Sequence, residues 1–82
     1  MSQHINVMIN AEPAQLAAGT TLRELISQKI GKELDATGQT TDGSKIAVAA
    51  AINGTVITRT QWHEYELHPG ATIDVVTAAQ GG

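Results

Sequence analysis

The sequence predicts an α+β fold: a mixed sheet of four to five strands with one main helix packed on one face. Three observations predict it. A segment that alternates apolar and polar residues opens the chain, and a strand rich in Ile and Val lies near its end. One amphipathic segment of helical period lies between them. An Asn-Gly pair splits a further run rich in β-branched residues.

In HINVMIN, Ile5, Val7 and Ile9 share one face, and His4, Asn6, Met8 and Asn10 share the other. That is a strand with one side in a core. Pro13 fixes its own φ and restricts Glu12, so residues 11–13 are expected to turn. A short second strand over about residues 14–18 then completes a hairpin, ended by Gly19. Thr21 followed by Glu24 is a capping box, in which hydroxyl and carboxylate each take one free N–H. Leu22, Leu25, Ile26 and Ile30 recur at helical spacing and Gly31 suits the C-cap. A helix is therefore expected over residues 22–30, with room for a further turn to Leu34.

DATGQTTDGSK lacks apolar periodicity and is expected to be an exposed, flexible loop over residues 35–45. Residues 46–52 place Ile46, Val48, Ala50 and Ile52 on one face and three alanines on the other. Alanine favours helix, but the β-branched residues and the following Asn53-Gly54 favour a strand and a tight hairpin. TVIT returns, RTQWHEYEL is irregular with room for one helical turn, HPGAT turns, and TIDVVTA is the last strand. The first and last strands are rich in Ile and Val, which suits the sheet centre. Pairing the two chain ends there, with the helix across one face, is the β-grasp arrangement. One domain is expected over residues 1–77, followed by a flexible tail over residues 78–82.

The totals bound the function. The chain has 82 residues, of which 41% are hydrophobic, yet its aromatics are one Trp and one Tyr. The core must rest on Ile, Val and Leu, and domains of this size draw about 3–5 kcal/mol from theirs. Net charge is −3, and Arg23, Lys29, Lys32, Lys45 and Arg59 are scattered, which argues against nucleic acid. Without cysteine there is no disulfide, thiolate ligand or Cys nucleophile. The start lacks the pattern of a signal peptide, and the longest apolar run, 46–52, falls well short of the ~20 residues of a membrane span. A cytoplasmic protein with no membrane partner is expected.

Catalytic and metal-binding patterns are equally lacking. His4, His63 and His68 are not at ligand spacing, and Ser2, Ser27 and Ser44 form no Ser/His/Asp pattern. Gly19, Gly31, Gly38 and Gly43 are isolated, so no glycine-rich phosphate loop is present. Asn53-Gly54-Thr55 matches a glycosylation acceptor, but its place between two strands makes it a turn. Trp62, the largest apolar side chain, is expected to plug the core or its rim. The expectation is a protein that is not an enzyme, with no metal and no cofactor of its own.

The tail, TAAQGG, points elsewhere. Residues 78–82 extend about 17 Å at ~3.4 Å per residue. Gln80-Gly81-Gly82 carries little bulk and can thread a narrow channel. An α-carboxylate is ionised at neutral pH, with a pKa of ~3.5, and is a poor electrophile until activated as an acyl-phosphate anhydride. Glycine at the last position leaves its carbonyl open to attack.

Together, AVAAAINGTVITRTQW and ELHPGATIDVVTAAQGG resemble the sulfur carrier proteins of thiamine biosynthesis, the ThiS family, which are ubiquitin-like. The matching features are Ile52-Asn53-Gly54, Val56-Ile57, Arg59 and Trp62, Leu67, Gly70, the strand 73–76 and Gly81-Gly82. The opening strand and LAAGTTLRELI are similar too. Thr58, where the family often has Pro, GAT in place of Gly-Asp, and a longer 35–45 loop depart from the pattern. They bear on surface contacts and leave Gly81-Gly82 untouched.

The resemblance implies that a ThiF-type adenylyltransferase uses ATP to convert the Gly82 carboxylate to an acyl-adenylate. A sulfur donor protein then makes the thiocarboxylate, and thiazole synthase takes the sulfur. Gly82 is thus the modified residue, and Gln80, Gly81 and Gly82 bind the partners. An exposed sheet face including Met8, Ile57 and Val76 is expected to dock them. The alternatives are the small subunit of molybdopterin synthase, usually richer in Phe than this chain, and a ubiquitin-like protein modifier.

Overall fold

The computed structural model describes residues 3–77. Five strands, β1 (His4–Ile9), β2 (Glu12–Ala17), β3 (Val48–Ile52), β4 (Thr55–Ile57) and β5 (Thr72–Thr77), form one sheet in the order β2-β1-β5-β3-β4. Helix α1 (Leu22–Ile30) and a 3₁₀ helix (Arg59–Glu64) complete the fold. β5 runs parallel to β1 and antiparallel to β3, so the last strand lies at the centre with the first beside it. This is the predicted α+β arrangement.

The first hairpin turns earlier than expected. Asn10 and Ala11 both have positive φ, 50° and 67°, the pairing whose twist suits a two-residue hairpin. Pro13 stands inside β2, opposite Met8. The sheet tolerates it because β2 is an edge strand, and this pair adjoins the one that closes the turn, so the missing N–H faces the free edge. The turn is thus set by an asparagine and an alanine in the left-handed region, with Glu12 between them and the proline.

α1 forms where its signals place it. Thr21 and Glu24 make the reciprocal capping box, and Gly31 ends the helix at φ 70°. The Ser27 carbonyl accepts from both Gly31 N–H and Lys32 N–H, so the chain leaves the helix there and Leu34 is not helical. Leu22, Leu25 and Ile26 are buried against the sheet. Each contributes about 1.5–3 kcal/mol by leaving water.

Asn53-Gly54 makes the second tight hairpin, with φ of 51° and 85°. β3 begins at Val48, two residues later than predicted. Ile46 packs partly buried against the core outside the strand, and its carbonyl accepts from Arg59 Nη2 at 2.6 Å. Trp62 is fully enclosed and donates its indole N–H to the Ile57 carbonyl at 3.0 Å. It is a core plug that joins the 3₁₀ helix to β4.

The 35–45 loop is exposed over most of its length but tied down at Gly38 and Thr40, which are buried. Gly38 has φ 81°, and a Cβ there would lie 2.7 Å from Arg59 Cβ. Arg59 also donates to the Gly38 carbonyl at 3.4 Å and stacks 5.6 Å from the Trp62 ring centre. One guanidinium therefore fastens the loop to the 3₁₀ helix.

Two side chains brace the central strand. Asn10 Nδ2 donates to the Val75 carbonyl at 3.2 Å and its Oδ1 accepts from Val75 N–H at 2.8 Å. The amide thus continues the β1–β5 ladder past the end of β1. Asn53 Oδ1 accepts from Thr72 N–H at 2.9 Å on the other side.

Register corrects one expectation. Ala50 opposes Ile57 and Ala51 opposes Val56. Ala50 is buried, so Ile57 is buried with it, and Val56 takes the open face. A two-residue turn fixes this parity, since a shift of one residue would exchange the two faces.

Two outcomes follow. Asn10→Gly keeps the positive φ and removes both amide bonds, and it should lower stability by about 1–3 kcal/mol in urea unfolding. Ile57→Ala should cost about 2–5 kcal/mol, whereas Val56→Ala should stay within about 0.5 kcal/mol of wild type. Equal losses at Ile57 and Val56 would contradict the observed register.

Candidate functional site

One face of the sheet carries α1 and the core; the other is open. Alternation along the strands sends Pro13 and Gln15 of β2, His4, Asn6 and Met8 of β1, and Thr72, Asp74 and Val76 of β5 to the open side. Ala49 and Ala51 of β3 and Val56 of β4 complete it. The strand register sets the neighbours: Val76 lies beside Ala49, while Asp74 lies beside Ala51, which in turn adjoins Val56.

The large apolar side chains left in water among the described residues are Met8, Val56 and Val76, at 37%, 70% and 64% exposure. All three are on this face. Met8 and Val76 were expected there from the sequence. Val56 was missed in favour of Ile57, because the parity of the return strand depends on the hairpin type. Shallow hollows flank the face at both ends. One is lined by Asn6, Met8, Pro13 and Gln15, the other by Ala47, Ala49, Arg59 and Val76.

Gln80, Gly81 and Gly82, the predicted reacting end, lie outside the described residues. β5, the central strand that carries Asp74 and Val76, ends at Thr77, and Ala78 and Ala79 separate it in sequence from Gln80.

The histidines do not converge. His4 begins β1, His63 is in the 3₁₀ helix and His68 is in the turn before β5. His63 Nδ1 is buried without a hydrogen-bond partner among the described residues. No group of three or more metal-ligating side chains occurs among the described residues. Ser27 Oγ donates to the Lys32 carbonyl and Ser44 Oγ to Asp42, so neither of these hydroxyls is directed at a histidine. No described helix is long and apolar enough to cross a membrane.

The perturbed carboxylates belong to the loop, not to the open face. Asp35 is held below the ordinary carboxylate range by the Thr37 hydroxyl and then by the Gln39 and Thr37 N–H groups. Asp42 is pushed further down by the Ser44 hydroxyl and N–H, with Lys32 adding a salt bridge at 3.1 Å. These are turn-building contacts of exposed groups, and the ion pair itself adds little.

Both groups bind protons more weakly when folded than when unfolded. They therefore stabilise the fold above their ordinary pKa of 3.8, and this contribution is lost as pH falls below it. Between about pH 5 and about pH 2, thermal unfolding of an Asp35→Asn/Asp42→Asn variant should lose less Tm than wild type. An equal loss in both proteins would show that the two turns are not what acid weakens.

A search of curated proteins finds no significant match. Among solved structures, the fold is similar to that of a thiamine biosynthesis protein (ThiS) from Geobacter metallireducens. The TM-score is 0.65 at 19% identity, with 95% of this chain and 100% of that chain covered, a likeness of fold. The model of the ThiS family matches residues 7–82, from the middle of β1 through both hairpins, α1 and β5 to Gly82. With that match spanning all but the first six residues, on the β-grasp sheet that the strand order describes, the chain belongs to the ThiS family.

Proposed function

We propose that this chain serves thiamine biosynthesis as a sulfur carrier, the role its family membership supports, and that Gly82 carries the sulfur. The observation that carries this reading is the extent of the family match, which runs through Gln80-Gly81-Gly82.

The chemistry begins with an unreactive carboxylate. Its oxygen attacks the α-phosphorus of ATP on a ThiF-type adenylyltransferase, and pyrophosphate leaves. The resulting acyl-adenylate has a carbonyl carbon that a sulfur nucleophile from a donor protein can attack. AMP departs with the electron pair of the broken C–O bond, and a persulfide nucleophile leaves an acyl disulfide to the donor. A thiol then forms a new disulfide with the donor sulfur, so that the thiocarboxylate leaves with the electron pair of the broken S–S bond. Thiazole synthase then takes the sulfur, an oxygen from water or from the sulfur acceptor replaces it on the Gly82 carbon, and the carboxylate returns. ATP is the partner's cosubstrate; the carrier supplies no catalytic group.

The fold's contribution is presentation. Glycines remove side chains from the approach to the reacting carbon, so the backbone can lie against a partner's site. The open face, with Met8, Val56 and Val76 exposed beside the strand that leads to the tail, offers apolar contact for docking.

Intact mass spectrometry tests the proposal. The full chain is incubated with the adenylyltransferase of its own source, ATP and a sulfur source. A mass gain equal to oxygen replaced by sulfur is expected, and a variant with one residue appended after Gly82 should show none. If wild type gains nothing from a partner proven on another carrier, the reading fails.

A further inference from the structure

We propose that Asp74 selects the partner on the open face: the docking surface it fits is apolar and carries an arginine or lysine opposite this carboxylate. The inference rests on the carrier reading and adds to it the chemistry of the partner's surface.

The open-face positions of the five strands contain one carboxylate and no lysine or arginine among the described residues. That carboxylate is Asp74, in the middle of the central strand. Its neighbours toward β3 and β4 are apolar and small, while the polar Thr72 stands two residues back along β5. Ala51 is its register partner, Val56 lies one strand further, and Val76 stands two residues along β5. Asp74 makes no ion pair among the described residues. The nearby polar groups are committed elsewhere. The Asn10 amide is bonded to the Val75 backbone through both its nitrogen and its oxygen. Arg59, at the rim beside Ala49 and Val76, donates to the Gly38 and Ile46 carbonyls.

A protein laid on this face would take Val56, Val76, Ala49 and Ala51 out of water, and Asp74 with them. Stripping water from a carboxylate is costly unless a cation or several donors replace it. A neutral apolar surface, however complementary in shape, would therefore be rejected, and one bearing a guanidinium or ammonium at that point accepted. This is selection by penalty against wrong partners as much as by attraction to the right one.

The occupant is the enzyme that takes the tail rather than a second copy. The open-face strand positions of a second copy offer no lysine or arginine to Asp74, and its Arg59 at the rim is held by the Gly38 and Ile46 carbonyls. The five residues after β5 reach about 17 Å at ~3.4 Å each. A partner holding Gly82 therefore has part of its surface close to Val76 and Asp74.

Calorimetric titration of the full chain with its adenylyltransferase at low and high salt reads this directly. Asp74→Asn should raise Kd about tenfold and Asp74→Lys more than about a hundredfold, with the salt dependence of wild type reduced in both. Glu12→Lys, the same charge change at the exposed sheet edge, should stay within about twofold of wild type. Unchanged Tm shows that the variants are folded, and the near-isosteric Asp74→Asn reads the effect if Asp74→Lys does not fold.

Wild-type affinity in Asp74→Asn and in folded Asp74→Lys, with normal thiocarboxylate formation on the wild-type chain, would overturn this inference and leave the carrier reading standing. Absence of both binding and thiocarboxylate on the wild-type chain would overturn the two together.

Discussion

The pairing of β5 between β1 and β3 is the constraint on which the rest of the structure depends. Without β5 the chain is two separate hairpins, β1–β2 and β3–β4, and an isolated hairpin is marginal in water. With β5 in place they become one sheet, and Ile73 at its centre has no exposed surface. The contact joins residues more than sixty positions apart, so closing it costs chain entropy that local structure cannot offset. Apolar burial offsets it. Ile9, Ile52 and Ile73 come into register across three strands and lie on the core side under α1.

Both asparagine turns serve this strand as well as their own hairpins. Asn10 and Asn53 hold positive φ, which asparagine tolerates better than most residues. Their side chains then bond the backbone of β5 from opposite sides, at Val75 and Thr72. Each turn therefore fixes local register and helps position the central strand. The parallel pairing with β1 covers two residues, Met8↔Thr72 and Ile9↔Ile73, and the Asn10 amide extends it where β1 has ended.

The same arrangement determines how the chain can be used. The strand paired on both sides is the one that precedes the tail in sequence, so a partner engaging residues 78–82 works next to the centre of the sheet. α1 occupies one side of the sheet, and the other side carries uncharged polar residues toward β1 and β2 and small or apolar ones toward β3 and β4, with a single carboxylate between them. The chemistry proposed for Gly82 needs access and orientation, not acid–base groups. The described residues provide a scaffold of that kind: the polar side chains of Ser27, Ser44, Asp35 and Asp42 cap turns and loops.

Much was legible in the sequence because it depends on local chemistry. The α1 boundaries followed from Thr21, Glu24 and Gly31, whose capping roles act within one helical turn. The 53–54 hairpin followed from Asn-Gly, and the core face of β1 followed from alternation. The family resemblance rested on motifs that survive as sequence, down to Gly81-Gly82. Four features were decided only in three dimensions. Ala11 accepts positive φ because sheet pairing on both sides of the turn demands it, against its intrinsic preference. Ile57 is buried and Val56 exposed because cross-strand register, not composition, sets parity in a three-residue strand. Gly38 is buried because Arg59, more than twenty residues away, reaches back over the loop, and Thr40 because it bridges to buried Leu34 and donates to the Ser44 carbonyl. Asp74 reads in sequence as one more polar position of an alternating strand. It becomes the lone carboxylate of the open face, with alanines and a valine beside it, only when β3 and β4 pair next to β5, because a side chain's neighbours across a sheet come from distant parts of the chain.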